Sequence, residues 1–230
     1  MAAGLVAGTL LAALASTQDP PPQSAADLDK RAKESLQKKV SLAGIEGLTL
    51  PELFFMFATA NDEDIEIYVD PVAVPKLDDL KISFAGEAPL DEVLKKSLKE
   101  KDLLHHVWQG IVVITNEKGR KALQETDWAG LSQKVLREHA ELSKKLDTPY
   151  TFQWSPFEPQ EALKQFAEAS GVAINADALA GFDLKKEKRG LLSARRTTLR
   201  GALVCLARTT GITYEVSKNG ALVAKLPPKK

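Results

Sequence analysis

The chain has 230 residues with 31 basic and 31 acidic side chains, so its formal net charge is zero; 44% of it is hydrophobic and 27% charged. That is material for one or two packed soluble domains, and the balanced charge gives no global electrostatic case for nucleic acid. Aromatics at 6% argue against a base-stacking platform, and the single cysteine, Cys205, excludes an intramolecular disulfide.

The first 15 residues read as a signal peptide. Residues 4–15 are apolar but too short to span a bilayer comfortably. Ala13-Leu14-Ala15 then places small residues ahead of Ser16, as signal peptidase requires, although no Lys or Arg precedes the stretch. The expectation is export and a periplasmic location. Residues 16–39 form a linker and a lead-in helix. Asp19-Pro20-Pro21-Pro22-Gln23-Ser24 is an extended spacer. From about Ala25 to Lys39 the charges fall on most faces, which predicts an exposed helix.

A first module is expected over residues 40–116. Leu50, Leu53, Phe54 and Phe57 recur at helical spacing, with Pro51 suited to the first turn. Ile65, Ile67 and Val69 alternate with Glu66, Tyr68 and Asp70, which predicts a half-buried strand closed by Asp70-Pro71. A second strand is expected over residues 81–85. Leu90, Val93, Leu94 and Leu98 line another helix, and two strands follow around a tight turn at Gln109-Gly110.

Residues 117–148 read as a charged connector of one or two helices, with Trp128, Leu131, Val135, Leu136 and Leu142 giving it a partial apolar face. A second module spans residues 149–226. It opens with an alternating strand, Tyr150-Thr151-Phe152-Gln153-Trp154. Ala162, Leu163, Phe166 and Ala169 form a helix that Gly171 terminates. A strand holds Ile174, and another is expected over residues 189–194. Leu199, Leu203 and Leu206 line the second helix. A hairpin turning at Lys218-Asn219-Gly220 closes the module.

The two modules repeat one another. Phe57 answers to Phe166 and Leu94 to Leu203 at a constant separation of 109 (166 − 57 and 203 − 94). Such self-similarity predicts a small unit used in tandem. The expected fold class is α+β: two tandem small α/β modules of β-α-β-β-α-β-β type joined by a helical connector.

The pattern resembles the short domain at the amino terminus of secretins and TonB-dependent receptors (the secretin and TonB N-terminus, or STN, domain). The second copy carries it in Pro159-Gln160-Glu161-Ala162-Leu163 with Phe166, in Gly171-Val172-Ala173-Ile174, in Thr198-Leu199-Arg200-Gly201-Ala202-Leu203 and in Gly211-Ile212-Thr213-Tyr214. The first carries it in Leu50-Pro51-Glu52-Leu53, Ile67-Tyr68-Val69-Asp70-Pro71 and Pro89-Leu90-Asp91-Glu92-Val93-Leu94. It departs at the acidic insert Asp62-Glu63 and at His105, which stands where the second copy has Tyr214. The resemblance covers about two thirds of the chain and rests on packing and turn residues, so it speaks to fold more than to task. It implies a part of an envelope machine or receptor that binds neighbouring proteins, without the long series of alternating strands of a pore or receptor barrel.

The residues offer no catalytic, cofactor or metal set. His105 and His106 are adjacent on a strand and project to opposite faces, so they do not share a metal. One ring is expected to pack as Tyr214 does, with the other exposed. Cys205 reads as a small buried helix residue. No Walker loop, dinucleotide fingerprint or nucleophile elbow is present.

The expected function is non-catalytic: docking of a protein partner in the cell envelope by strand addition or side-chain packing. It needs no cofactor, no nucleic acid and no transmembrane span in the mature chain. Candidate contacts are Tyr68, Trp108 and Trp154, with Arg195 and Arg196. The last two join Arg200, Arg208 and the run Lys185-Lys186-Glu187-Lys188-Arg189 in a basic zone of the second module. The first module is the acidic one, through Asp62, Glu63, Asp64, Asp78 and Asp79. The alternative is a peptide or glycan held in a cleft between the copies.

Overall fold

The computed structural model describes residues 24–43, 47–62, 65–75, 77, 80–82, 84–125, 127–152, 154, 158–182, 192–193 and 196–227. The expected signal segment therefore lies outside the described residues, as do Lys185 to Arg189, Arg195, Glu63, Asp64, Asp78 and Asp79. Among the described residues no helix is long and apolar enough to cross a membrane.

The protein is a mixed α+β structure. Helix α1 (Ala25–Leu36) begins at Ser24, whose side chain accepts the Asp27 N–H at 3.2 Å. It is not exposed all round. Leu28, Ala32 and Leu36, spaced by four, are buried, and the helix lies against strands of both halves. This apolar stripe is narrow and was hidden among charges in the sequence.

Strand β1 (Lys39–Ser41) leads to helix α2 (Leu50–Asn61), where the Glu52 carboxylate accepts the Thr49 N–H at 2.7 Å and its hydroxyl at 2.6 Å. Strand β2 (Ile67–Val69) follows. Next come β3 (Glu87–Pro89), helix α3 (Leu90–Lys99) and the hairpin of β4 (Leu104–Trp108) and β5 (Ile111–Thr115). The strand expected at 81–85 is displaced. Lys81 makes only an isolated bridge to Thr49, and the strand proper lies beyond Gly86, which turns the chain at φ 108.

The connector folds as three helices, α4 (Glu117–Gln124), α5 (Gln133–Glu138) and α6 (Ala140–Leu146). The second half runs through β6 (Pro149–Thr151), α7 (Pro159–Ser170), β7 (Ile174–Asn175), a 3-10 turn at Asp177–Leu179, β8 (Leu192–Ser193), β9 (Arg196–Thr198), α8 (Leu199–Thr210), β10 (Thr213–Val216) and β11 (Leu222–Lys225). Gly171 and Gly211 end their helices at φ 63 and 81, a region that favours glycine.

Pairings recur between the halves. β1 pairs β3 and β6 pairs β9, both antiparallel. β4–β5 and β10–β11 are antiparallel hairpins, while β2 runs parallel to β5 and β7 parallel to β11. One pairing crosses the halves: β8 joins β2 antiparallel, giving a sheet ordered β4-β5-β2-β8.

The same sheet has two buried faces. Ile67, Val69, Val112 and Ile114 belong to the core beneath α2 and α3. Tyr68, Ile111 and Val113 project the other way, into a core shared with α8 and the connector. The half-buried strand expected at β2 is therefore buried on both faces, which suits its parallel pairing with β5. Helix α8 lies between the first half's sheet and its own. Only two of its twelve residues escape burial, Arg200 and Arg208. The position 109 residues before Val204 is Lys95, and before Cys205 it is Lys96, both exposed on α3. This replacement of charge by apolar surface is what lets the second half close on the first.

Candidate functional site

Residue order in the connector makes a cleft. Asn116 caps α4 by accepting the Gly119 N–H at 2.8 Å. After α4, Trp128 and Leu131 exchange backbone hydrogen bonds of 3.0 and 2.8 Å, with Ala129 and Gly130 at positive φ in the tip. Asp127 then accepts the Gln133 N–H at 2.9 Å and Ser132 caps α5. The tip docks on the outer edge of β10, where Tyr214 N–H donates to Ala129 O at 2.6 Å. A side chain at Gly130 would collide with the Tyr214 carbonyl, so the close approach requires glycine. Covering that edge removes a place where a foreign strand could add.

The cleft this leaves is about 720 Å³ and is lined from both halves and the connector. Trp108, at the end of β4, stands on one side. Trp128 and Leu136 form apolar floor, and Arg137, Lys144, Asp147, Glu125 and Arg200 surround it. Trp128 is 5% exposed and meets Tyr214 edge-on, with centroids 6.2 Å apart. Its indole N–H has no acceptor among the described residues. The Arg200 guanidinium sits 5.6 Å from the Trp128 ring centre and is fixed by two bonds to Asp147, at 2.6 and 3.1 Å. A cation over an indole face and a bidentate carboxylate together hold this arginine in one place. Arg137 donates to Gln133 at 3.3 Å, and Lys144 makes no ion pair among the described residues. A groove of about 710 Å³ beside α7 has the opposite character: Glu158, Glu161, Glu168 and Asp177 line it, with Lys164 as the cation.

Of the described residues expected to make contacts, Trp108 alone lies in the cleft. Tyr68 is fully buried and its hydroxyl is 3.4 Å from Thr209 Oγ1 on α8, so it is interior and not a contact. Trp154 stacks edge-on against Phe166 with centroids 4.8 Å apart. Arg196 is exposed, and its N–H donates to Glu66 at 3.0 Å. Arg195 falls outside the described residues. Of the expected basic zone, Arg200 is held by Asp147 and Arg208 is turned inward to Asp70, while Lys185 to Arg189 and Arg195 lie outside the described residues. The second half's described groove is acidic. Trp128, Arg137 and Lys144 were legible only as connector residues, and the one local signal of the cleft was Gly130 interrupting a helical pattern.

The His pair is inside on both faces. His105 Nε2 lies 3.0 Å from Asp91 Oδ1, and burial lowers its pKa. Both ring nitrogens of His106 are buried without a hydrogen-bond partner among the described residues. Burial, with Arg120 nearby, pulls its pKa down to about 4. The expected exposed ring is absent because α4 covers that side of the hairpin, bringing Arg120 and Glu117 to it. Cys205 is fully buried and burial pushes its thiol well up. Among the described residues no three His, Cys, Asp or Glu side chains converge as a metal set would.

No protein-family model matches the chain, and neither a curated protein nor a solved structure matches it.

Proposed function

We propose that the protein is a non-catalytic docking protein of the cell envelope, built from two fused copies of one small module resembling the secretin and TonB N-terminus domain. It holds a partner protein by taking a segment of that partner into the cleft between α5, α6, Trp108 and Arg200. The recurrence of three strand pairings in the two halves supports the duplication. The observation that carries the docking reading is the cleft itself: two tryptophans and a fixed arginine, drawn from both halves and the connector, around an open volume of about 720 Å³. Tryptophan and arginine are the residue types that dominate binding hot spots, and a polar-rimmed apolar floor suits a peptide segment. Strand addition is the weaker mechanism, since the connector tip occupies β10 at Tyr214.

The test is capture from envelope extract by residues 24–230 and by a Trp108→Ala, Arg137→Ala variant. The reading expects a protein recovered by the parent and lost by the variant. Equal recovery by both places docking elsewhere.

A further inference from the structure

We infer that the cleft selects a segment in which acidic side chains flank an aromatic or aliphatic one. The inference rests on the docking reading and adds the chemistry of the occupant. Five ionisable groups line the cleft: Arg137, Lys144 and Arg200 against Glu125 and Asp147. Asp147 is consumed by its bidentate bond to Arg200. Arg137 and Lys144 remain, on neighbouring helices and both exposed, facing a single carboxylate, Glu125. Neither makes an ion pair among the described residues. Between them the floor is apolar, with Trp128 and Leu136 buried and Trp108 half-buried. A ligand satisfying this surface places carboxylates at Arg137 and Lys144 and an apolar side chain against the half-buried Trp108. Complementary rim charge of this kind sets partner choice and encounter rate more than raw affinity. The acidic groove beside α7 repels the same ligand, so selection between the two concavities is built into the lining.

A neutral sugar would use the tryptophan faces and ignore the cations; it is the other class the cleft geometry admits. The experiment titrates the protein, carrying Trp154→Phe to limit emission to Trp108 and Trp128, with three probes. These are a capped Leu-Glu-Phe-Glu-Leu peptide, the same peptide with Lys for Glu, and chitotriose. The proposal expects the acidic peptide to bind at least about tenfold more tightly than the lysine peptide. The gap should narrow between roughly 50 and roughly 500 mM salt. Arg137→Glu with Lys144→Glu, both at exposed positions, should reverse the preference while leaving the circular dichroism spectrum unchanged. Equal binding of the two peptides, or a preference that survives the double substitution, overturns the acidic preference and leaves peptide docking standing. A response to the sugar with none to either peptide overturns the docking reading as well.

Discussion

Arg208 Nη2 donates to Asp70 Oδ2 at 2.5 Å, joining residues 138 positions apart. Asp70 directly follows β2 in the first half and is fully buried; Arg208 is near the end of α8 in the second. The carboxylate also accepts from Thr115 Oγ1 at 2.8 Å and from the Val72 N–H at 3.1 Å. A buried charge is tolerable only when paired and hydrogen-bonded to this degree. The two halves are therefore joined at this point by a buried ion pair and its hydrogen bonds, set among apolar side chains of the shared core. Gly119 leaves room for it, since a side chain there would meet both Thr115 Oγ1 and the Asp70 carboxylate.

Removing one member should be costly and removing both should not. Arg208→Ala leaves Asp70 as an uncompensated buried charge, and is expected to cost about 3–5 kcal/mol in urea denaturation. Arg208→Met with Asp70→Leu, apolar groups of related volume, is expected to recover most of that. A double variant as unstable as the single one would show that the contact set is held by something other than charge pairing.

The matching positions Lys95 on α3 and Val204 on α8 differ in what they tolerate. Val204→Lys puts an ammonium between the two sheets and should lower stability by about 3 kcal/mol or more. Lys95→Val, at the exposed position 109 residues earlier, should change it by no more than about 0.5 kcal/mol. Thermal unfolding of both variants compares them directly.

The Gln109-Gly110 turn is gripped from two sides. Asp29 on α1 accepts the Gly110 N–H at 2.6 Å, and Thr197 and Thr198 donate to the Gln109 backbone and side-chain oxygens at 2.7 and 2.5 Å. Gly110 has φ 81, and a Cβ there would lie 2.6 Å from the Leu28 Cβ. Gly110→Ala is thus strained and displaces α1; a loss of about 2–3 kcal/mol is expected. Leu28→Ala empties the same contact and is expected to cost about 2–4 kcal/mol. Fast amide exchange throughout α1 in either variant, with the rest protected, is the accompanying signature.

Acid should weaken the fold through His106. Its folded pKa of about 4 lies below the ordinary 6.5. Below about pH 6.5 the unfolded chain takes up a proton that the folded chain refuses, so stability is level above that pH and falls as the pH drops toward 4. Allowing for solvent screening of a half-buried ring, the loss between about pH 7 and about pH 5 is roughly 1 kcal/mol, or a few degrees in Tm. His106→Leu should flatten that part of the pH dependence. An unchanged slope would place the acid sensitivity on other groups, such as His105 against Asp91.

Much of the architecture was legible because period and punctuation agree locally. Phe166 with Ala162 and Leu163, closed by Gly171, reads as a helix in any context. Gln109-Gly110, ahead of the β-branched run Ile111-Val112-Val113-Ile114-Thr115, reads as a hairpin turn. What could not be read was the second face of β2. Tyr68 looks like the outward residue of an alternating strand, and only the helix packed on it makes it core. The clue lay in comparing copies: α3 has Lys95 and Lys96 where α8 has Val204 and Cys205, and a helix apolar on opposite sides needs two partners. The candidate site was less legible. Trp108 was singled out as a strand aromatic, but Trp128, Arg137, Lys144 and Arg200 converge only through the turn at Ala129-Gly130 and its bond to β10. No periodicity in the sequence encodes that bond.

The proposed role of the junction cleft is to recognise a protein segment. Selection of a displayed library of random peptides on the intact chain, with parallel selection on the Trp108→Ala, Arg137→Glu, Lys144→Glu variant, tests it most directly. A shared motif, acidic residues around an apolar one, should be enriched on the parent and absent from the variant's output. Enrichment of one and the same motif on both proteins, or of none on the parent, would contradict it.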